Sequence, residues 1–366
     1  MTKATPPADS LDATLDRLAR FESKSYPVLS LYLDARADSR GRDHFQPFVR
    51  KEIAAKQRTY RLRSPERKSF DRDAKKIQRF LETQVRTSAN GIAIFACAGE
   101  NDFFEALQLE APFEENRLGV ASRPQLFPLA KVIDENPRYA LVLADTRSAR
   151  IFVFARGRRI DEKSVKSRSL PRTRGTGPSQ MQYQRHVDNL HKSHARELVD
   201  RLARVVEEDR VDHILLAGDE VILPLIRQEL PKRLEKKVVD TLHFDKKKPD
   251  AEVLAAAKEL LRERDAKTDA EKIERLLGEY RAGGLAAVGP EEVRRALELG
   301  QADELLISAA LDREGAAADE TAENLVALAR RTGTRVTFIE DSKLLKAVDG
   351  VGAFLRYRLA PPVPAA

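Results

Sequence analysis

Apolar residues recur at steps of three and four from Tyr183 through Val187, Leu190, His194, Leu198 and Leu202 to Val205. This is the period of an α-helix with one apolar stripe. The stripe predicts a helix of about seven turns, stabilised chiefly by burying that face. Apolar runs that read as strands stand on both sides of it, at Ala140–Ala144 and Ile151–Phe154 before and at 213–218 ("HILLAG") after.

The segment feeding the helix has the opposite character. From Arg156 to Arg174 eight Lys and Arg residues face two acids. Such a stretch is too polar to bury and too long for a tight turn, so an exposed loop or a projecting ribbon is predicted. "RGTGPSQMQYQRH" (174–186) then carries the chain into the helix. Gly175 and Gly177 permit close approach of backbone. Ser179 and Gln182 have capping-box spacing, and the helix start offers unpaired N–H groups. Gln180 stands at the junction. Its amide donates and accepts hydrogen bonds but does not titrate, so it suits orienting a water or polarising a carbonyl better than acting as a base.

Arg185, Asn189, Lys192 and Arg196 follow at steps of four, three and four, on one face away from the apolar stripe. With Arg172 and Arg174 they form a basic ridge continuous with the loop, of the kind that displaces counterions from a phosphate backbone. A solvated helix face has the same pattern; the adjoining loop favours RNA or DNA. The net charge of +7, in a chain with 34% charged residues, also favours an acidic partner.

At 366 residues the chain exceeds what one core organises. Three α/β parts are expected. Residues 1–130 hold a helix capped by Ser10 with Leu11, Leu15 and Leu18 on one face, and a strand at 27–36. Helices follow from about Gln46 to Tyr60 and from Ser64-Pro65 to near Val85, then strands "GIAIFACAG" and "DFFEALQLE". Residues 131–280 hold the basic loop (168–182) and long helix. Beyond "HILLAG", this part continues with a helix opened by Asp219 and interrupted near Pro224, the strand "KKVVDTLHF", and one or two helices over 249–280 striped by Val253, Ala256, Leu260, Ile273 and Leu276–Leu277. "RAGGLAAVG" marks a boundary. Residues 281–359 alternate helix from Pro290, strand "DELLIS", helix "TAENLVALARRTG", strand "RVTFIE", a short helix at 342–347 and strand "GAFLRYRL"; 360–366 is a tail.

Several classes are excluded. Cys97 is the single cysteine, so no disulfide within the chain and no zinc site with paired cysteines can form; it reads as a small buried hydrophobe. His186, His191 and His194 cluster, but His186 lies about 140° round the helix from His191, so no metal is expected. There is no Gly-x-Ser-x-Gly elbow, no Walker loop and no dinucleotide fingerprint, so no cofactor is expected. The N-terminus lacks a signal peptide, and no window reaches the length of a membrane helix. No membrane association and a cytoplasmic location are expected.

"GTGPSQMQYQRHVDNLHKSHARELVDRL", "YALVLADTRSARIFVF" and "VGPEEVRRALELGQADELLIS" together resemble the bacterial branch of the archaeal/eukaryotic class-1 peptide chain release factor and Pelota superfamily. The resemblance implies a three-domain, tRNA-shaped α/β architecture whose last domain is similar to a ribosomal-protein-like RNA-binding fold. It implies a loop ending in Gln180 that reaches the peptidyl-transferase centre. Gly177 and Gln180 keep a Gly-x-x-Gln pattern, with Pro178 and Ser179 where the family has Gly-Gly, as in relatives resembling Vms-type peptidyl-tRNA cleaving factors. The first domain lacks the family's Asn-Ile-Lys-Ser stop-codon motif. The implied partner is therefore the ribosomal A site, with its rRNA and a neighbouring tRNA, bound without stop-codon reading, as in rescue factors like Pelota or hibernation factors resembling Balon. A monomer is implied, with a translational GTPase such as EF-Tu as a further partner. Three functions stay open: ribosome hibernation and protection under stress, peptidyl-tRNA hydrolysis through Gln180 on stalled ribosomes, and RNA binding away from the ribosome.

Overall fold

The computed structural model describes residues 11–36, 44–109, 111–135, 137–146, 148–155, 158–166, 179–209, 211–243 and 250–357. They divide into two compact units, one formed by residues 1–135 with 266–366 and the other by 136–265.

The first unit contains two four-stranded sheets. One is antiparallel, built from β1 (Val28–Asp34), β2 (Gly91–Cys97), β3 (Phe103–Leu109) and β4 (Arg117–Ala121) in the order β3-β2-β1-β4. β1 and β2 are apolar along nearly their whole length because both faces of the sheet are covered. On one face α2 (Phe45–Gln57) and α3 (Pro65–Thr83) pack Phe45, Val49, Phe70 and Ile77 against Leu29, Leu31, Ile92 and Ile94. Ser64 caps α3 as expected, its Oγ accepting the Arg67 N–H at 3.1 Å. On the other face lie α1 (Leu11–Ala19) and α4 (Phe127–Asp134). Leu15 and Leu18 of α1 are fully buried there, but Leu11 points outward.

The second sheet follows the order β10-β13-β11-β12, with β10 at Ala286–Val288, β11 at Ala302–Ser308, β12 at Arg335–Ile339 and β13 at Val351–Leu355. β11 and β12 run parallel and the other pairs antiparallel. The segment "RAGGLAAVG", read as a boundary, contains β10, whose Ala286 and Ala287 are buried beside β13. α9 (Pro290–Glu298) and α10 (Ala316–Arg331) cover one face. The end of α8 (Asp250–Arg281) and the short α11 (Ser342–Leu345) cover the other, through Ile273, Leu276 and Leu345.

One continuous core joins the two sheets: Leu15, Phe95, Phe127 and Leu129 belong to it together with Leu305, Leu325, Val326 and Phe338. Its polar counterpart is a cluster around Arg117 of β4. The guanidinium takes both carboxylate oxygens of Asp319 at 2.6 and 2.7 Å and lies 3.4 Å from Asp312 and 3.7 Å from Glu323. Glu323 is buried in α10 and accepts the backbone N–H groups of Leu126 and Phe127, so a side chain from the far end of the sequence satisfies orphan donors at the start of α4. At the other end of α4, Asp134 accepts the N–H of Phe338 at 2.7 Å. Neither β4 nor α4 is legible in the sequence pattern; both are held by these distant partners.

The second unit is a five-stranded sheet of β5 (Arg138–Ala144), β6 (Ser148–Ala155), β7 (Arg158–Lys166), β8 (His213–Gly218) and β9 (Val238–His243), ordered β7-β6-β5-β8-β9. β5, β8 and β9 are parallel, and β6 and β7 form an antiparallel ribbon on β5. Against it lie α5 (Ser179–Glu208), α6 (Ile222–Glu229) and the short α7 (Lys232–Glu235). Asp219 caps α6, accepting from Val221 and Ile222 at 3.0 and 2.9 Å. Pro224 does not interrupt α6. It is the third residue of the helix, where its missing N–H would have had no intrahelical partner. Over 250–280 the charged stretch is one helix, α8, rather than two, and Ala256 of its expected stripe is exposed.

Burial pushes Glu323 up from 4.5 to about 8, against the pull of the Phe127 N–H and Arg117. Its folded pKa exceeds the unfolded one, so this group adds stability below pH 4.5 that is lost as pH rises towards 8. Glu323→Gln keeps an acceptor and removes the titration. The stability of the wild-type chain relative to that variant, measured by urea unfolding, should fall between pH 4.5 and 8 and then level. Arg117→Ala leaves the Asp319 and Asp312 carboxylates without their cation and should cost about 3 kcal/mol at pH 7, read in the same unfolding curves.

Candidate nucleic-acid interface

α5 is built for two tasks along its length. Its C-terminal half is core: Ala195, Leu198, Val199, Leu202, Val205 and Val206 are all buried against Ala140, Val142, Ile151, Ile214 and Leu216 of the sheet. The C-terminal end is tied to the start of β5, where the Arg138 guanidinium donates to the Asp209 carbonyl at 2.8 Å and the Asp212 N–H to the Arg138 carbonyl at 2.8 Å. From there the helix runs back along the sheet. Its 30 residues span about 45 Å, whereas strands of six to nine residues extend only about 20–30 Å. The N-terminal turns therefore outrun the parallel strands.

Along those outer turns Arg185, Asn189 and Lys192 are exposed, with Val187, Leu190 and His191 half-buried behind them. Arg196, predicted on the same face, is exposed too, but its Nε donates to Glu229 of α6 at 2.9 Å. That carboxylate raises the guanidinium's pKa and occupies part of its charge. The open section of the ridge is Arg185 to Lys192, and Arg196 ties α5 to α6. The sequence hides Glu229 because it lies 33 positions away.

Ser179 and Gln180 are the first two residues of α5. Arg172, Arg174, Gly175 and Gly177 lie outside the described residues. The basic stretch expected as a loop or ribbon is a strand over 158–166: β7 pairs with β6 from Ala155 opposite Arg158 to Ser148 opposite Lys166. Lys166 thus ends beside the β5–β6 turn, at the strand ends that α5 overshoots.

His194 marks where the helix enters the core. It is 2% exposed, and neither ring nitrogen has a hydrogen-bond partner among the described residues. No group of three His, Cys, Asp or Glu side chains suited to a metal ion occurs among the described residues, nor does any described helix have the length and apolarity to cross a membrane.

Residues 124–262 match the family described as Bacterial archaeo-eukaryotic release factor family 10, and residues 266–359 match eRF1 domain 3. The two matches together fit the release factor and Pelota superfamily. The second match begins at the residue where the chain re-enters its first compact unit. Among superfamily relatives, peptide chain release factor subunit 1 of Archaeoglobus fulgidus is 26% identical over 312 residues, covering 71% of this chain and 75% of that one. The protein pelota homolog of Methanocaldococcus jannaschii is 28% identical over 172 residues, covering 44% and 48%. A solved assembly described as ribosome-bound archaeal Pelota and ABCE1 aligns over 96% of both chains at 14% identity, with a TM-score of 0.42.

Because the buried half of α5 is the anchor of the outer half, Leu198→Ala should destabilise the fold by about 3 kcal/mol. Thermal unfolding by circular dichroism should show that loss, while Lys192→Ala, on the exposed face, leaves the midpoint unchanged.

Proposed function

We propose that this protein binds the ribosomal A site as a release-factor-like factor that reads no stop codon, and that it acts in ribosome hibernation and protection. The observation that carries this is α5, anchored by one half and presenting Arg185, Asn189 and Lys192 on the other, directly after the Gly-x-x-Gln segment. A cationic helix face held on a packed sheet suits the phosphate backbone of rRNA. Similarity to a superfamily of translation factors supports the ribosome as the source of that RNA. In this reading residues 168–182 point towards the peptidyl-transferase centre, near the end of a bound tRNA. The C-terminal part would face a translational GTPase of the EF-Tu kind, an assignment supported by resemblance alone.

Arg185→Glu combined with Lys192→Glu should weaken co-sedimentation with vacant ribosomes and lower the slope of log Kd against log salt by about 1 per lost phosphate contact. Unchanged binding and slope would remove the ridge from the reading. Protein that stays at the top of a sucrose gradient at low salt would instead favour RNA binding away from the ribosome.

The place of Gln180 in the first turn of α5 supports a second reading, hydrolysis of peptidyl-tRNA with the amide positioning a water. Pro178 and Ser179 in place of the family's glycines favour binding over this chemistry. Peptide release from ribosomes loaded with peptidyl-tRNA separates the two. Stable binding without release is expected, whereas release that is lost in Gln180→Ala would establish catalysis.

A further inference from the structure

Where the two sheets of the first unit join, a recess opens between α4 and the 3-10 turn at Leu311–Arg313 that precedes α10. Part of its lining is apolar. The rings of Tyr32 and Phe113 meet edge-on with centres 4.9 Å apart, and Pro128 and Val132 of α4 stand with them. The rest is charged, with three cations, Arg117, Lys131 and Arg313, set among four carboxylates, Glu114, Glu115, Glu135 and Asp312.

The cations are already committed. Arg117 grips both carboxylate oxygens of Asp319, outside the recess, at 2.6 and 2.7 Å. Lys131 lies 3.0 Å from Glu114 and 3.8 Å from Glu135, and Arg313 also pairs with Glu114. Glu115 is exposed and has no cationic partner among the described residues. Asp312 is served least well. Its side chain is only 10% exposed, its contact with Arg117 is a long 3.4 Å, and its Oδ1 is buried with no hydrogen-bond partner among the described residues. Burial raises the pKa of this carboxyl although Lys131, Arg117 and Arg313 all pull the other way. A buried carboxylate oxygen without a donor is costly, and the neighbouring cations do not offset the cost.

We infer that this recess is a binding site for a small aliphatic diamine or polyamine, one ammonium donating to Asp312, the methylene stem lying on the Tyr32, Phe113 and Val132 side, and an outer ammonium meeting Glu115. An ammonium brings three donors and no acceptor, which is what the unpartnered oxygen lacks. Aromatic rings attract cations, and methylene stems cover apolar surface while their charged ends stay with polar groups. An anion is matched worse, because each cation in the recess already holds a carboxylate that an anion would have to displace. A bound amine would touch side chains from both sheets and so add to the stability of their join. The inference does not rest on the ribosomal reading, and either can fail alone.

Isothermal titration calorimetry of the full-length protein with cadaverine, in about 150 mM NaCl to screen loose surface binding, tests it. Saturable binding at one site is expected, with a melting temperature that rises as the amine is added. Asp312→Asn keeps the size of the side chain and removes its charge, and should raise Kd at least about tenfold. Glu115→Gln, on the exposed rim, should raise it about twofold to threefold, and carries the test should Asp312→Asn fold poorly. Pentylamine, with a single ammonium, should bind more weakly than cadaverine and be indifferent to Glu115→Gln. Pentanol, which shares the stem and lacks the charge, should not bind. Absence of saturable binding by the wild-type protein, or a Kd unchanged by both substitutions, would overturn the inference. So would inorganic phosphate that binds in competition with cadaverine, which would mark a site for anions.

Discussion

The burial of one half of α5 is the constraint on which the candidate interface depends. Leu198, Leu202 and Val205 lock the helix to the sheet, and Arg138 fastens its end to the first strand. Since the strands are shorter than the helix, whatever is anchored at one end must project at the other. The exposed cations are therefore placed by core packing, well away from any residue that touches them.

The other unit depends on a different kind of join. Two sheets that are far apart in sequence share a core, and several polar groups at its rim find their partners across the join rather than within each sheet. Glu323 caps α4, Arg117 gathers Asp312 and Asp319, and Asp134 meets the backbone of β12. Removing either side would leave buried donors and charges without partners. This is why burial and ion pairing are inseparable here; burial lifts Glu323 above its ordinary pKa, and Arg117 pulls the other way.

Much of this was legible in the chain. The stripe from Tyr183 to Val205 gave α5, the Ser64-Pro65 pair gave the start of α3, and Asp219 gave the cap of α6. Each is a local rule, readable within a few residues. What stayed hidden was non-local. β4 is five residues long and contains a glycine, and α4 is eight residues with a proline near its start, so neither has a period to detect. β10 is three residues and exists because β13 lies beside it. Arg196 looked like part of an open ridge because Glu229 comes from another helix. In the ridge itself, spacing was enough to put Arg185, Asn189 and Lys192 on one face; which of the cations is already engaged is a tertiary fact.

The join between the two sheets also orders events as the polypeptide is made. Arg117 and its acid Asp319 are separated by 202 positions, and Leu126 and Glu323 by 197. Residues 136–265 can complete their own sheet as soon as they leave the ribosomal tunnel. The first 135 residues cannot complete theirs, because half of their core arrives only after residue 266. For that interval Leu129 and its neighbours have no cover, and long-range closure of this kind is slow. The nascent chain thus carries a sticky, unfinished front end behind which the middle matures first, a natural occasion for chaperone contact.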